Sequence, residues 1–438
     1  MAKVNLVTIA PLLEGGSKAG HVYWFHQSLQ MAFADLKEVK HLTFGTKSKP
    51  EDWFVGVFSK SPSARLRLSH FPFLGLARDV GACSSQIVHA YGHGAQVHIH
   101  VYDGGFREYL LVTALLDKNP SYSCSFNFSN VIDPWSRLFA KLPLTKEPLS
   151  QGGRNHMIHS KMLPYTEVRG LAALFDQAIE GATPRIYPMF SIISNEEHQR
   201  RAASHTERKI DVIFFPENSY ELDLCAKVIE LLRSAETGPK TFSIQPRWGF
   251  TLPESLLERS IIGGIEIVPN SVTELEYRDM YLNSRVVVLP YTNTYHYTYQ
   301  GSGRLLDALA SGCHVVVPAE TSLGQYSVST RSVWPVDVLE VSNIAAAIEK
   351  AWGSTQISGV TVPTAGQLAS SLLEDAKYLQ SSAADITQDL KFQNQLSKRM
   401  RFAYLLLDWY QPLLGLAKLV IDIGWIRRWV HSLRRRES

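Results

Sequence analysis

The stretch Val286–Pro318, VVVLPYTNTYHYTYQGSGRLLDALASGCHVVVP, reads as strand, loop, helix, strand. Val286 to Leu289 is a short apolar run, mostly β-branched, and Pro290 ends it. That is the pattern of a parallel strand buried on both faces. A polar, Tyr-rich loop follows, and Gly301-Ser302-Gly303 opens a helix. Leu305, Leu306, Ala308 and Leu309 form its inner side, and Gly312 suits the position just past its end. His314 to Val317 is a second buried strand. A β-α-β unit of this kind sets the helix N-terminus at the carboxyl edge of the sheet. Free N–H groups and the positive end of the helix dipole make that spot suitable for a phosphate.

Outward from this unit, the same alternation repeats in two series. In the first, Val4–Ala10 is a strand, 13–17 a turn, about 20–36 a helix and Val39–Phe44 a strand. Residues 45–90 mix aromatics, Ser and Arg without a clear period. Val97–Val101 is a strand closed by Tyr102-Asp103-Gly104-Gly105, then comes a helix (Phe106–Leu116) and a strand (Tyr122–Phe128). Residues 140–160 read as loop, and 184–208 as the connection between domains. The second series runs Ile210–Phe215 (strand), Tyr220–Leu232 (helix), Thr241–Gln245 and Ile265–Val268 (strands), a helix near Glu274–Leu282, the 286–318 unit, Val333–Val338 (strand) and Ile344–Trp352 (helix). The expectation is an α/β protein of two doubly wound Rossmann-like domains, 1–190 and 209–390, with a helical C-terminal extension, 391–438.

The 286–318 segment resembles the donor-binding segment of GT-B glycosyltransferases, in particular the retaining group 1 (GT4-like) families with two acidic residues eight apart. Their helix reads (Leu/Met)-Glu-Ala-(Leu/Met)-Ala-x-Gly before Pro-Val-Val; here it reads Leu306-Asp307-Ala308-Leu309-Ala310-Ser311-Gly312 before Cys313-His314-Val315-Val316. The resemblance puts Asp307 where the family's second Glu holds the nucleotide ribose. Eight residues earlier, where the first acidic residue would stand, are Tyr299 and its neighbour Gln300. The family's Arg and Lys on the first strand–helix turn of this domain are also missing, since that turn is Phe215-Pro216-Glu217-Asn218-Ser219. The resemblance covers about 210–350, and the first domain by architecture alone.

Length and composition agree with two globular domains. The chain has 438 residues, 45% hydrophobic and 19% charged, which excludes a disordered chain, and a net charge of +3 gives no case for nucleic acid. Four cysteines without paired spacing point to neither a zinc site nor a disulfide framework and suit a reducing, cytoplasmic compartment. No signal peptide and no spanning helix are expected.

Each candidate functional residue has a plain structural alternative. Gly301, Ser302 and Gly303 offer N–H groups and a hydroxyl to a diphosphate, or form a helix cap. Arg304 and Arg247 are the candidates to neutralise it, because a guanidinium grips phosphate bidentately; either is otherwise a surface Arg. Gly15 and Gly16 lie after the first strand, where the resemblance places a loop under the donor or acceptor; a tight turn explains them equally. Asp103 stands at a strand end as a general base or as part of an Asp-Gly-Gly turn. His98 and His100 share one face of a strand; either is a base candidate, a metal-ligand role lacks a third partner at a suitable spacing, and a structural role is the alternative. The tyrosines at 291, 295, 297 and 299 stack on a base or sugar, or pack the loop. No metal site and no cofactor are expected.

In the C-terminal extension, Phe402–Tyr410 suits a helix that returns to the first domain. Beyond it, Leu419, Ile423, Ile426, Val430 and Leu433 form an apolar stripe, with Trp425 and Trp429 and flanking arginines 427, 428 and 434–436. Such a helix suits an anionic membrane interface, or simply solubilises the end. The expected function is transfer of a sugar from a nucleotide-sugar donor to a saccharide or lipid-linked acceptor in surface polysaccharide synthesis, peripheral to the membrane. The alternatives are a nucleotide-sugar epimerase or hydrolase of the same fold, and a non-catalytic binding subunit.

Overall fold

A computed structural model describes residues 3–14, 21–46, 52–58, 75–102, 104, 106–127, 161–166, 185–187, 189–193, 208–246, 265–269, 272–292, 301–354 and 362–381. The first domain is built on a parallel sheet of β1 (Val4–Glu14), β2 (Val39–Thr46), β3 (Phe54–Phe58), β4 (Val97–Val101), β5 (Tyr122–Asn127), β6 (Met162–Thr166) and β7 (Arg185–Ile186), in the order β3-β2-β1-β4-β5-β6-β7. The second has β8 (Ile210–Phe214), β9 (Phe242–Ile244), β10 (Ile265–Ile267), β11 (Ser284–Val288), β12 (His314–Pro318) and β13 (Val333–Val336), in the order β10-β9-β8-β11-β12-β13. Both sheets are doubly wound, with strand order reversing between β1 and β4 and between β8 and β11.

Period-2 alternation sorts each strand's side chains between two helix layers. Val97, Ile99 and Val101 of β4 join the core beneath α2 (Leu76–Tyr91) and α3 (Phe106–Lys118). His98 and His100 point to the other side, which α1 (His21–Asp35) and α8 (Ala365–Ser381) cover. In the second domain α4 (Ser219–Ser234) and α7 (Val341–Gly353) cover one face, with Val212, Phe214, Val286 and Val288 beneath them. The other face carries α5 (Glu274–Leu282) and α6 (Gly303–Ala310). Its core runs on into the first domain: Trp24 and Phe25 of α1 share one cluster with Phe215, Tyr277, Tyr281 and Leu305, and the Trp24 and Tyr277 rings lie 5.3 Å apart.

The β11–α6–β12 unit forms as its sequence demands. Ser302 caps α6 by accepting from Leu305 N, and Gly312 takes a φ of 70°, the left-handed value glycine reaches without strain. Arg208, buried at the entry to the domain, donates to the Ser311 carbonyl at 2.6 Å and to the Ser284 carbonyl, so a cation meets the negative end of α6.

Helix α8 returns from the second domain to the first and docks through Asp375. That carboxylate is buried and accepts from Tyr165 Oη (2.7 Å), Ser125 Oγ (3.3 Å) and the Arg185 guanidinium. Burial raises its pKa, and Tyr165, Arg185 and Ser125 oppose that rise. Residues 402–410, the segment expected to make such a return, lie outside the described residues, as do 391–438 as a whole.

Candidate functional site

The carboxyl ends of β8 and β11 meet at the point where the second sheet's order reverses, the place where open α/β sheets leave a crevice for a ligand. Phe215 follows β8, and Tyr291-Thr292 follow β11. Arg304, in the first turn of α6, lies across both. Its guanidinium carbon sits 4.8 Å from the Phe215 ring centroid, and it hydrogen-bonds the Tyr291 side chain. Its Nη1 is buried and has no hydrogen-bond partner among the described residues. Tyr291 also hydrogen-bonds Ser302, so hydroxyl, guanidinium and helix N-terminus converge. Burial raises the Tyr291 pKa against the opposing effect of Arg304. It is a packed, neutral hydroxyl, not an exposed stacking ring.

The first strand–helix turn of this domain, β8 to α4, is closed by its own side chains. Glu221, 1% exposed, accepts from Glu217 N (2.6 Å) through Oε2, and from Thr292 N (2.6 Å) and Thr292 Oγ1 (2.8 Å) through Oε1. Asn218 caps α4 by accepting from Glu221 N at 2.8 Å, and its amide donates to Thr292 Oγ1 at 3.1 Å. Sequence reasoning passed over Glu221, although Asn218-x-x-Glu221 is the spacing of a capping residue and its acidic partner.

Asp307 lies inside the protein. It is 0% exposed, and both oxygens are engaged by the protein: Oδ1 accepts from Ser191 Oγ (2.7 Å) and Ile192 N (3.1 Å), Oδ2 from Tyr277 Oη (2.8 Å). The carboxylate, which the resemblance places on a ribose, ties the inter-domain connection to α5 and α6.

His100, a base candidate, is buried as well. It lies at 0% exposure in β4, with Nε2 paired to the Tyr187 hydroxyl at 3.0 Å. Burial pushes its pKa down to about 3, a backbone hydrogen bond at Ser125 opposing. His98, beside it, pairs with Ser123 Oγ (2.9 Å) and Ser125 Oγ (2.5 Å), and burial, then His100, push it to about 3 as well. Both rings are fully buried. Among the described residues no cluster of metal-ligating side chains occurs.

Of the remaining expected site residues, Gly301, Ser302, Gly303 and Arg304 lie at the N-terminus of α6. Asp103, Gly16, Arg247, Tyr299 and Gln300 lie outside the described residues. Next to Asp103, Gly104 donates its N–H to the Asn127 carbonyl at 3.0 Å, and a Cβ there would meet the Phe126 ring at 2.2 Å.

No protein-family model and no curated protein matches this chain by sequence. Solved structures do resemble it. The sucrose-phosphate synthase of Thermosynechococcus elongatus superposes with a TM-score of 0.54 at 13% identity, covering 90% of this chain and 100% of that one. A trehalose-6-phosphate protein from E. coli, bound with UDP-2-fluoro glucose, gives 0.51 at 12% identity over 87% and 98% of the two chains. A putative UDP-N-acetylglucosamine 2-epimerase from Listeria monocytogenes gives 0.52 at 11% identity over 88% and 98%. The chain has the GT-B fold. In GT-B terms the first sheet is the N-terminal domain, the second the C-terminal one, and the Arg304 crevice lies at the carboxyl edge of the C-terminal sheet.

Proposed function

We propose that this GT-B chain transfers a sugar from a nucleotide-linked donor, held at the β8/β11 crevice, to a saccharide or lipid-linked acceptor held by the first domain. The observation that carries the reading is Arg304: a buried guanidinium whose Nη1 has no hydrogen-bond partner among the described residues, beside a capped helix N-terminus, at the point where strand order reverses. An unpaired buried cation is costly, and an anionic ligand supplies the missing partner. In transfer, the bond from the anomeric carbon to the phosphate oxygen breaks and its electron pair stays on that oxygen. The acceptor oxygen bonds the carbon, and Asp103 is the candidate to receive the acceptor's proton. Arg304 and the α6 dipole stabilise the departing phosphate without a metal.

The E. coli neighbour's UDP-2-fluoro glucose supports a nucleotide-sugar donor, and the Listeria neighbour favours a second reading, epimerisation of a nucleotide sugar. Incubation with a panel of nucleotide sugars, with and without simple saccharide acceptors, separates them by mass spectrometry. Glycosylated acceptor supports transfer; an isomerised donor without acceptor supports epimerisation; an unchanged donor in every mixture contradicts both. The arginine- and tryptophan-bearing stripe at 419–436 supports an acceptor near an anionic membrane. No helix among the described residues is long and apolar enough to cross one.

A further inference from the structure

We infer that Glu221 is a positioning residue for the donor site: it clamps together the two loops that Arg304 spans and so sets the width of the crevice. The inference rests on the donor reading above and deepens it.

The loops after β8 and β11 flank the switch point. Arg304 bridges them from α6, with its guanidinium carbon 4.8 Å from the Phe215 ring centroid and a hydrogen bond to the Tyr291 side chain. Glu221 bridges the same two loops from α4. Its Oε2 accepts from Glu217 N at 2.6 Å, two positions after Phe215. Its Oε1 accepts from Thr292 N at 2.6 Å and Thr292 Oγ1 at 2.8 Å, next in the chain to Tyr291. Asn218 closes the ring by donating to Thr292 Oγ1 and accepting from Glu221 N. A cation and a carboxylate thus grip one pair of loops, from helices on opposite faces of the sheet.

Helix capping alone does not account for this arrangement. In a capping box the acidic residue reaches back to the N–H of its own capping residue. Glu221 takes the N–H one position earlier, and its other oxygen serves a loop 71 positions away. A carboxylate at 1% exposure is costly unless well-placed donors compensate, and three converge on it. What those bonds fix is the separation of the Phe215 loop from the Tyr291 loop, the slot that Arg304 crosses. A guanidinium holds a phosphate best in a narrow range of geometry, so the clamp acts on donor affinity.

The test is calorimetric titration of the full chain with UDP, GDP, ADP, CDP and dTDP. The tightest of them is then titrated into Glu221→Gln and Thr292→Val, at a temperature where melting curves show the variants folded. The sign is diagnostic. Glu221→Gln removes a negative charge beside the crevice, and Coulomb's law alone would tighten the binding of an anion. The clamp predicts the reverse, binding about tenfold weaker, because the single oxygen of glutamine cannot serve both loops. Thr292→Val leaves every charge in place and deletes the hydroxyl that Glu221 and Asn218 share; binding should weaken about threefold. The double variant should bind no more weakly than Glu221→Gln, since both act through one clamp. Unchanged or tighter binding by folded Glu221→Gln, or losses that simply add, overturns the inference and leaves the donor reading standing. If Glu221→Gln does not fold, Thr292→Val decides alone, and unchanged affinity overturns the inference. Absence of binding by the wild type to any of the five overturns both.

Discussion

Ser191 donates its hydroxyl to Asp307 Oδ1 across 2.7 Å, although 116 positions separate them. Ser191 belongs to the connection between the domains and Asp307 to the helix that opens on the crevice. The bond therefore couples domain geometry to the site. Asp307 also accepts from Ile192 N and Tyr277 Oη, and Tyr277 packs on Trp24 of the first domain. Replacing Asp307 by Ala removes the acceptor shared by Ser191 Oγ, Ile192 N and Tyr277 Oη. The expected loss of stability is about 3 kcal/mol, read as a lower urea midpoint. Asp307→Asn, which retains one acceptor oxygen, should cost less; equal losses for the two variants would show that the carboxylate geometry is not what matters.

Asp375 performs the corresponding task for α8. Arg185 is half-exposed, so its ion pair is partly screened, and most of the effect comes from Tyr165 and Ser125 losing a buried acceptor. Asp375→Ala should destabilise by about 2 kcal/mol. Hydrogen exchange should quicken across Ala365–Ser381 before it does across β8–β13. Unchanged protection of α8 would contradict the docking role.

The buried histidines set an acid limit. His98 and His100 have folded pKa values near 3, below the roughly 6.5 of an unfolded histidine. Between those values the unfolded chain binds more protons, so stability rises with pH there and is complete above about 6.5. Each ring contributes a slope of up to about 1.4 kcal/mol per pH unit. His41, depressed by burial and by His26 and His100, acts in the same direction; Asp375, with its raised pKa, opposes the slope below its own folded value. Melting temperature should hold steady from pH 8 to 7 and fall below pH 6, and His98→Gln should flatten that fall. The same slope in both proteins would contradict the assignment.

Gly104 tests the loop that carries Asp103. An added methyl group meets Phe126 and the Asn127 carbonyl oxygen well inside contact distance. Gly104→Ala should cost roughly 1–3 kcal/mol through overpacking. It should also lower transfer activity beyond what stability explains; a variant with full activity and full stability would show that Gly104 is not held where the structure places it.

Much of the fold was legible because its signals are local. The β-branched runs at 210–214, 284–288 and 314–318, and the Gly312 stop, each declare their element within a few residues. What the sequence hid was non-local. β6 carries Pro164 inside its ladder, opposite Phe126, which masks it as a strand. β3 is only five residues long and holds Gly56, whereas Leu76, Val80, Cys83 and Ile87 of α2 do recur at helical spacing, a signal the sequence reading passed over. The site was half legible. Its N-terminal turn and Arg304 followed from the β-α-β pattern, but the partners of Asp307 and Glu221 lie 116 and 71 positions away, and no motif records them.

The most direct test of the central claim is a thermal-shift comparison of the wild-type chain and Arg304→Gln across nucleoside mono- and diphosphates. A ligand at about a hundred times its dissociation constant stabilises by roughly 2.7 kcal/mol. The account predicts a clear upward shift for one base with the wild type, and its disappearance in a variant whose unliganded melting temperature is little changed. An equal shift in both proteins, or none in the wild type, would contradict it.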